Sequence, residues 1–264
     1  AVKHWLYMAL LVVLFVAPLL ALVVYALAPG WRFPDLWPHA WSMRTIEQVF
    51  MGPQTSRIFS HLLWSVVYSL LTTGATLAIC LVPAQHLARH EFSGKRVLEA
   101  LLLAPALVPA MTFSMGVHFA FIKLGLADTL PGVVLVLTVF SYPYMLRALV
   151  AGYQAFGREY ELCAANLGAG FFQRLLSVEL PLILPSAIAG GSVVFLVAFS
   201  EYFLVFLIGG GAVPSYTGYL FPILNSSDRA LGSMLTLVFL LVPLLLFVLT
   251  DVVVTRAYRK RGMY

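Results

Sequence analysis

Few residues in this chain are equipped for chemistry. Of its 264 residues only 11 are Asp or Glu and 6 are His. One acid, Glu201, sits in the middle of the apolar run Phe199-Ser200-Glu201-Tyr202-Phe203. An ionisable group inside a membrane-spanning helix carries an insertion penalty of about 2–3 kcal/mol and is expected to face a bundle interior or water. With Ser200 and Tyr202 beside it, Glu201 would either line a translocation path or hydrogen-bond a neighbouring helix. A negative path suits a cation such as a polyamine, thiamine or a metal chelate. His118 is the one histidine expected deep in an apolar helix, where helix-to-helix hydrogen bonding is its commoner role. Cys80 and Cys163 form neither a disulfide framework nor a CxxC pair, so no metal site is predicted. The phosphate-cradling GxxxxGK(S/T) loop is missing, because Gly94-Lys95 has neither the upstream glycine nor the following hydroxyl residue. HExxH, GxSxG and GxGxxG are missing too. Nothing assembles a covalent mechanism, so the chain is not expected to be an enzyme; transport or scaffolding is the expected class.

The elements that position these residues follow from composition. Apolar residues make up 61% and charged residues 10%, against about 45–50% and about 25% in soluble domains. So few charges cannot cover a soluble surface of this size, and the chain reads as an all-α protein that crosses a membrane repeatedly. The net charge of +5 then reports membrane orientation, and no nucleic-acid partner is expected. A helix needs about 20 mostly apolar residues to cross the hydrocarbon core. The gaps between charges accommodate six spans, at about 6–28, 62–87, 98–122, 131–154, 183–208 and 230–255. The fifth is drawn through Glu201, since Pro181 and Pro185 suit a helix start and Gly209-Gly210-Gly211 suits its end. Glu201 lies 15 residues beyond Ser186, about 22 Å along a helix, in the outer half of the bilayer. The first span is too long for a signal peptide, whose apolar core runs about 7–15 residues. Residue 1 is Ala rather than Met, so the true start is expected to have been trimmed or to lie upstream.

Lys and Arg counts in alternate loops set the orientation. Lys3, Arg89, Lys95, Arg96, Arg147, Arg158, Arg174, Arg256, Arg259, Lys260 and Arg261 fall on one side; Arg32, Arg44, Arg57, Lys123 and Arg229 fall on the other. Eleven against five predicts that both termini are cytoplasmic. In the outer loop of 29–61, Trp31, Trp37 and Trp41 suit the membrane interface. There Thr45-Ile46-Glu47-Gln48 has the spacing of a capping box, with a short surface helix expected after it. The outer segment Gly209 to Asn225 is uncharged and includes Tyr216 and Tyr219. It reads either as partly re-entrant at an external mouth or as an apolar loop resting on the interface. Ser227 or Asp228 is expected to cap the sixth span.

The fourth and fifth spans are separated by about 28 residues, where helical domains usually use 2–8. Glu159 to Leu167 reads as a short helix with acids at its dipole-favoured start. Gly168 stops it at a position that often requires φ > 0, and Ala169 to Val178 forms a second short helix leading into Leu180-Pro181. This Gly-broken segment resembles the EAA loop of permease subunits of binding-protein-dependent ABC importers, whose pattern is Glu-Ala-Ala, three residues, Gly, nine residues, then Ile-x-Leu-Pro. Aligned on Gly168, the chain has Leu162-Cys163-Ala164, then Ala165-Asn166-Leu167, Gly168, nine residues and Val178-Glu179-Leu180-Pro181. Ala164, Gly168, Leu180 and Pro181 match, and Val178 replaces Ile. Leu162 stands in place of the motif's Glu and Cys163 in place of its first Ala, while Glu161 comes one residue early, about 100° around a helix. The similarity takes in the number and order of spans, the inward termini, and Pro105 and Pro109 in the third span. It covers about Ile58 to Arg256 and lies closest to the polyamine, thiamine and ferric-iron importers.

The resemblance implies a single permease domain of the type I importer fold, with a cytoplasmic coupling loop at about 155–182. Glu159, Glu161, Ala164, Ala165, Leu167, Gly168, Ala169, Leu180 and Pro181 would meet the ATPase. Ser200, Glu201, Tyr202, Tyr216 and Tyr219 would line the path or its gate. The implied partners are two ATPase subunits, a second permease (identical or related), a periplasmic or surface solute-binding protein and the lipid bilayer of a prokaryotic inner membrane. No cofactor is expected on this chain; ATP and Mg²⁺ belong to the ATPase. The uneven motif suggests a heteromeric pair in which the other permease keeps the acid. The alternative is a secondary transporter using Glu201 as an ion or proton relay, although such carriers commonly show repeated halves and several intramembrane polar groups.

Overall fold

The computed structural model of the chain describes the backbone of residues 2–31 and 34–260, and the side chains of residues 4–31, 34–250 and 252. Among the cations that set the orientation, Arg32 and Arg261 lie outside the described residues, as do the side chains of Lys3, Arg256, Arg259 and Lys260. Every regular element among the described residues is helical. Among the described residues five helices are long and apolar enough to cross a membrane: His4–Leu27, Thr55–Arg89, Leu130–Phe156, Phe171–Ser200 and Arg229–Thr250. A sixth crossing requires a helix pair bent by 89°.

The chain divides into two compact units. The first comprises Ala1–Trp64 and Pro214–Leu244. It begins with α1 (Val2–Leu27), which is apolar on every face and exposed along nearly its whole length, from Trp5 to Leu20. Such a helix is built for a lipid environment. α2 (Arg44–Phe50) follows. It starts one residue before the expected capping box and contains it: Ser42 Oγ accepts the Arg44 N–H at 3.2 Å. The Glu47 N–H bonds the Met43 carbonyl at 3.0 Å, so Met43 is the cap position and Thr45 lies inside the helix, where it caps nothing. This unit also holds the start of α3 (Thr55–Arg89), together with α11 (Tyr216–Leu224) and the first half of α12 (Arg229–Lys260). Val49, Ile58, Tyr216, Leu220, Leu235 and Val238 form its core. Of the two residues expected to cap the last helix, Asp228 does so, its Oδ1 accepting the Leu231 N–H at 3.0 Å.

The second unit comprises Ser65–Val213 and Leu245–Tyr264. It differs from expectation at two spans, and proline chemistry accounts for the first. The third span is not one helix: α4 (Lys95–Leu103) passes through a 3₁₀ turn, Ala104–Ala106, and α5 (Ala110–Leu124) leaves almost perpendicular to it. Pro105 and Pro109 cannot donate to a helical ladder; Pro105 sits in the 3₁₀ turn, and Pro109, with φ -57° and ψ 130°, leaves the helical region and starts α5. α6 (Leu130–Phe156) runs as expected, with Thr129 Oγ1 accepting the Gly132 N–H at 3.1 Å as its cap. The fifth span starts earlier and ends earlier than expected. α7 (Glu159–Asn166) is followed by α8 (Phe171–Arg174), which passes through a π turn, Leu175–Glu179, into α9 (Leu180–Ser200) as one continuous helix. It stops at Glu201, whose backbone is extended, and α10 (Phe203–Gly209) resumes beyond the break. Gly210 and Gly211, at φ +52° and +80°, end α10 as the glycine run suggested.

α6 packs along α9 more extensively than any other helix pair in this unit. Small residues permit the approach, as they do between membrane helices generally. A Cβ on Gly190 would lie 2.8 Å from that of Ala148, and one on Gly152 would lie 2.7 Å from Ser186 Cβ.

Candidate functional site

The segment between α6 and α9 is built from glycines and alanines with defined duties. α6 ends at Gly157, where φ is +73° and a Cβ would meet the Glu159 carboxylate. α7 then runs to a Schellman close: the Gly168 N–H donates to the Ala165 carbonyl at 2.9 Å, and the Ala169 N–H to the Ala164 carbonyl at 3.0 Å. Gly168 sits at φ +83° with nothing within 4 Å of where its Cβ would stand. Its requirement is therefore one of backbone conformation and not of space. Ala164, Ala165, Gly168 and Ala169 are the backbone positions of that turn.

The second short helix expected at 169–178 is instead the beginning of the helix that continues to Ser200. Leu180 and Pro181 lie inside it. Pro181 has no N–H to give to Ser177 and its ring crowds that carbonyl; the π turn at Leu175–Glu179 widens the helix at that point.

Both acids that lie closest to α3 turn inward. Glu161 Oε1 accepts from Arg89 Nε at 2.9 Å and Nη2 at 2.6 Å, with the two side chains 12% and 5% exposed. The guanidinium lies 4.8 Å from the Phe156 ring centroid and 5.7 Å from that of Tyr153, so it is held by charge and by aromatic faces together. Glu179 is 1% exposed; its Oε2 accepts from Gln85 Nε2 at 2.8 Å and from the Tyr153 hydroxyl at 3.3 Å. The end of α3 is thus tied twice, to α7 through Arg89 and to the start of α9 through Gln85. Glu159 is exposed. Outward lie apolar side chains, Leu162, Leu167 and Phe172 among them, Leu167 being 83% exposed.

Arg89, Gln85, Tyr153 and Glu179 carry this site but are not among the residues expected in it. Arg89 and Glu161 are 72 residues apart in sequence and Gln85 and Glu179 are 94 apart. The available signal was Glu179 itself, the unspecified residue of the Ile-x-Leu-Pro position.

The remaining predicted residues fall into two places. In the second unit, Ser200, Glu201 and Tyr202 form the break between α9 and α10. Glu201 Oε1 accepts the Leu204 N–H at 3.2 Å, the Ser200 hydroxyl donates to the Leu196 carbonyl at 2.7 Å, and the Tyr202 ring stacks on Phe206. In the first unit, Tyr216 is fully buried and its hydroxyl donates to the Leu235 carbonyl at 2.8 Å. Tyr219 is half-buried, donates to Gln54 Oε1 at 2.7 Å and lies beneath the Arg57 guanidinium.

A family model described as "Binding-protein-dependent transport system inner membrane component" matches residues 81–261. A molybdate/tungstate transport system permease protein of Thermococcus kodakarensis is 31% identical over 144 residues, which are 53% of this chain and 58% of that protein. A molybdenum transport system permease protein of Mycobacterium tuberculosis is 29% identical over 182 residues, 63% of this chain and 64% of its own length. The chain therefore spans less than two thirds of the length of these relatives. Among solved structures, a bacterial ABC transporter involved in the import of alginate aligns over 100% of this chain and 95% of its own, with a TM-score of 0.67 at 14% identity. That likeness is one of fold.

Proposed function

The chain belongs to the family of binding-protein-dependent transport system inner membrane components, and from that membership we propose that it is the permease subunit of an ATP-driven ABC importer. An external solute-binding protein delivers a small solute, and the spans pass it across a prokaryotic inner membrane by alternating access. Hydrolysis of ATP, with its Mg²⁺, takes place on two separate ATPase subunits; this chain contributes no catalytic residue. A second permease, identical or related, completes the path. Both termini face the cytoplasm.

One observation carries this reading: the α7–Gly168–α8 corner is braced on its inner side and apolar on its outer side. Leu162, Leu167 and Phe172 present the outer surface, which suits a cleft in the ATPase. Glu161, held by Arg89, supports the corner from within and offers no free charge to that partner. Movement imposed on the corner reaches α9 directly, because α8 and α9 are one helix. It reaches α3 through Arg89 and Gln85. The test is Gly168→Val. A β-branched residue tolerates φ > 0 poorly, so this variant should insert normally but lose binding-protein-dependent, ATP-dependent uptake in proteoliposomes. Gly168→Asn, which enters the left-handed region more readily, should keep most of it. Normal uptake by Gly168→Val would overturn the assignment.

The break at Ser200–Tyr202 suits a translocation path, since irregular backbone at membrane depth is tolerated where it is buried in protein or lines a water-filled cavity. Glu201 serves there by holding the break in shape. This role disfavours a secondary carrier that relays protons through Glu201. Relatives named for molybdate and tungstate transport make a tetrahedral oxyanion the first solute to assay, with a polyamine, thiamine and ferric iron as the comparison set.

A further inference from the structure

Two adjoining cavities in the first compact unit differ in chemistry and share two residues. The larger, about 600 Å³, is polar and is lined by Arg44, Thr45, Gln48, Ser227, Asp228 and Arg229, with Trp31 at its wall. The smaller, about 280 Å³, is a predominantly apolar groove bordered by Leu22 and Tyr25 of α1 and by Gly232 and Thr236 of α12, and it reaches Asp228 and Arg229 from the other side. Tyr25 lines the groove and Trp31 lines the polar cavity, and their rings stack with centroids 4.7 Å apart. The stacked pair marks the boundary between the two, and amphipathic rings of this kind favour membrane interfaces.

We propose that this double cavity binds one anionic phospholipid, its phosphate between Arg44 and Arg229 and an acyl chain in the groove along α12. Charge supports the anion. Among the described residues neither guanidinium has an ion-pair partner, and the one carboxylate of the cavity, Asp228, is engaged as the cap of α12. Two cations therefore face one occupied acid. The apolar groove distinguishes a lipid from a free anion, which would have no use for it. Gly232 keeps the groove open on the α12 side: a Cβ there would already stand 3.3 Å from Leu224 Cδ2. α1 supplies the other wall and is exposed on every face from Trp5 to Leu20, so a lipid chain has lateral access.

The test uses the intact importer complex, purified in mild detergent and exchanged into mixed micelles of phosphatidylglycerol and phosphatidylcholine in equal parts. Native mass spectrometry should find phosphatidylglycerol retained preferentially. Arg44→Gln and Arg229→Gln should each lower that preference about fivefold, the worth of one basic residue at an anionic membrane surface. The paired Lys substitutions should keep it. Gly232→Ile, which fills the groove, should abolish lipid retention, and excess inorganic phosphate should not displace the lipid from the unaltered protein. Displacement by phosphate, or retention undiminished in Gly232→Ile, would make the cavity a free-anion site and overturn the proposal. Equal retention of the two lipids would overturn it independently of any variant, as would an unchanged preference in the double Gln variant.

Discussion

Arg89 and Glu161 show how a charged pair is used close to a membrane surface. Each is nearly covered, so removal of either partner strands a charge where water solvates it poorly, typically at a cost of about 3–5 kcal/mol. Arg89→Gln and Glu161→Gln should each lower the thermal midpoint of the complex and its uptake, and the double variant should recover part of both losses. A melting comparison of the four proteins reads out that coupling; strictly additive losses would show that the pair does not act as a unit. Glu201 calls for a different comparison, because its Oε1 accepts a backbone N–H. Gln preserves the acceptor and Ala removes it, so Glu201→Ala should lose about 1 kcal/mol, the worth of a cap, while Glu201→Gln keeps stability and uptake. Lost uptake in the Gln variant at unchanged stability would instead place the charge itself in the path. At this scale the sequence marked the acids of the 159–168 segment and the lone acid at 201. It could not supply their partners, because Arg89 and Gln85 lie 72 and 94 residues away from them in the chain.

Helix ends were legible where a residue acts through its own backbone. Gly168, Gly210 and Asp228 stop or start helices as their chemistry requires. Helix breaks were less legible, because continuous hydropathy hides them. The 98–122 stretch is apolar enough for one span, yet Pro105 and Pro109 turn it by 89°, and the apolar run through 201 conceals the break that Glu201 caps. Pro181, by contrast, suited a helix start and lies inside a helix, because a π turn absorbs its missing donor. Packing between elements follows from small residues whose spacing is unremarkable in an Ala- and Gly-rich chain. Gly190 is the sharpest case: a methyl group there would press on Ala148 and on Met145 Sδ, 3.2 Å away. Gly190→Ala should therefore cost about 1–3 kcal/mol by overpacking. Gly74, also helical but with open space at its Cβ position, should gain slightly on the same change. Melting midpoints of the two variants that moved in the same direction would contradict this account of α6 against α9.

For the whole molecule, bilayer thickness made the sequence readable. A hydrocarbon core about 30 Å thick demands long uncharged runs, so the gaps between 27 charged residues located the five membrane-length helices and the bent pair that a sixth crossing requires. The proposed inward placement of both termini rests on the cation count, and the two cysteines offer a direct test of it. Cys163 is exposed on α7, whereas Cys80 is buried in the second unit's core. A membrane-impermeant maleimide should therefore modify one thiol per chain, and only from the cytoplasmic side: in inverted vesicles stripped of the ATPase, but not in right-side-out vesicles. Rebinding the ATPase should then protect Cys163, since it lies beside Leu162 on the surface assigned to that partner, and the protection should vanish in Gly168→Val if the corner loses its shape. Labelling of right-side-out vesicles would reverse the orientation. Labelling of inverted vesicles that the ATPase fails to protect would leave the orientation intact but move the contact away from α7.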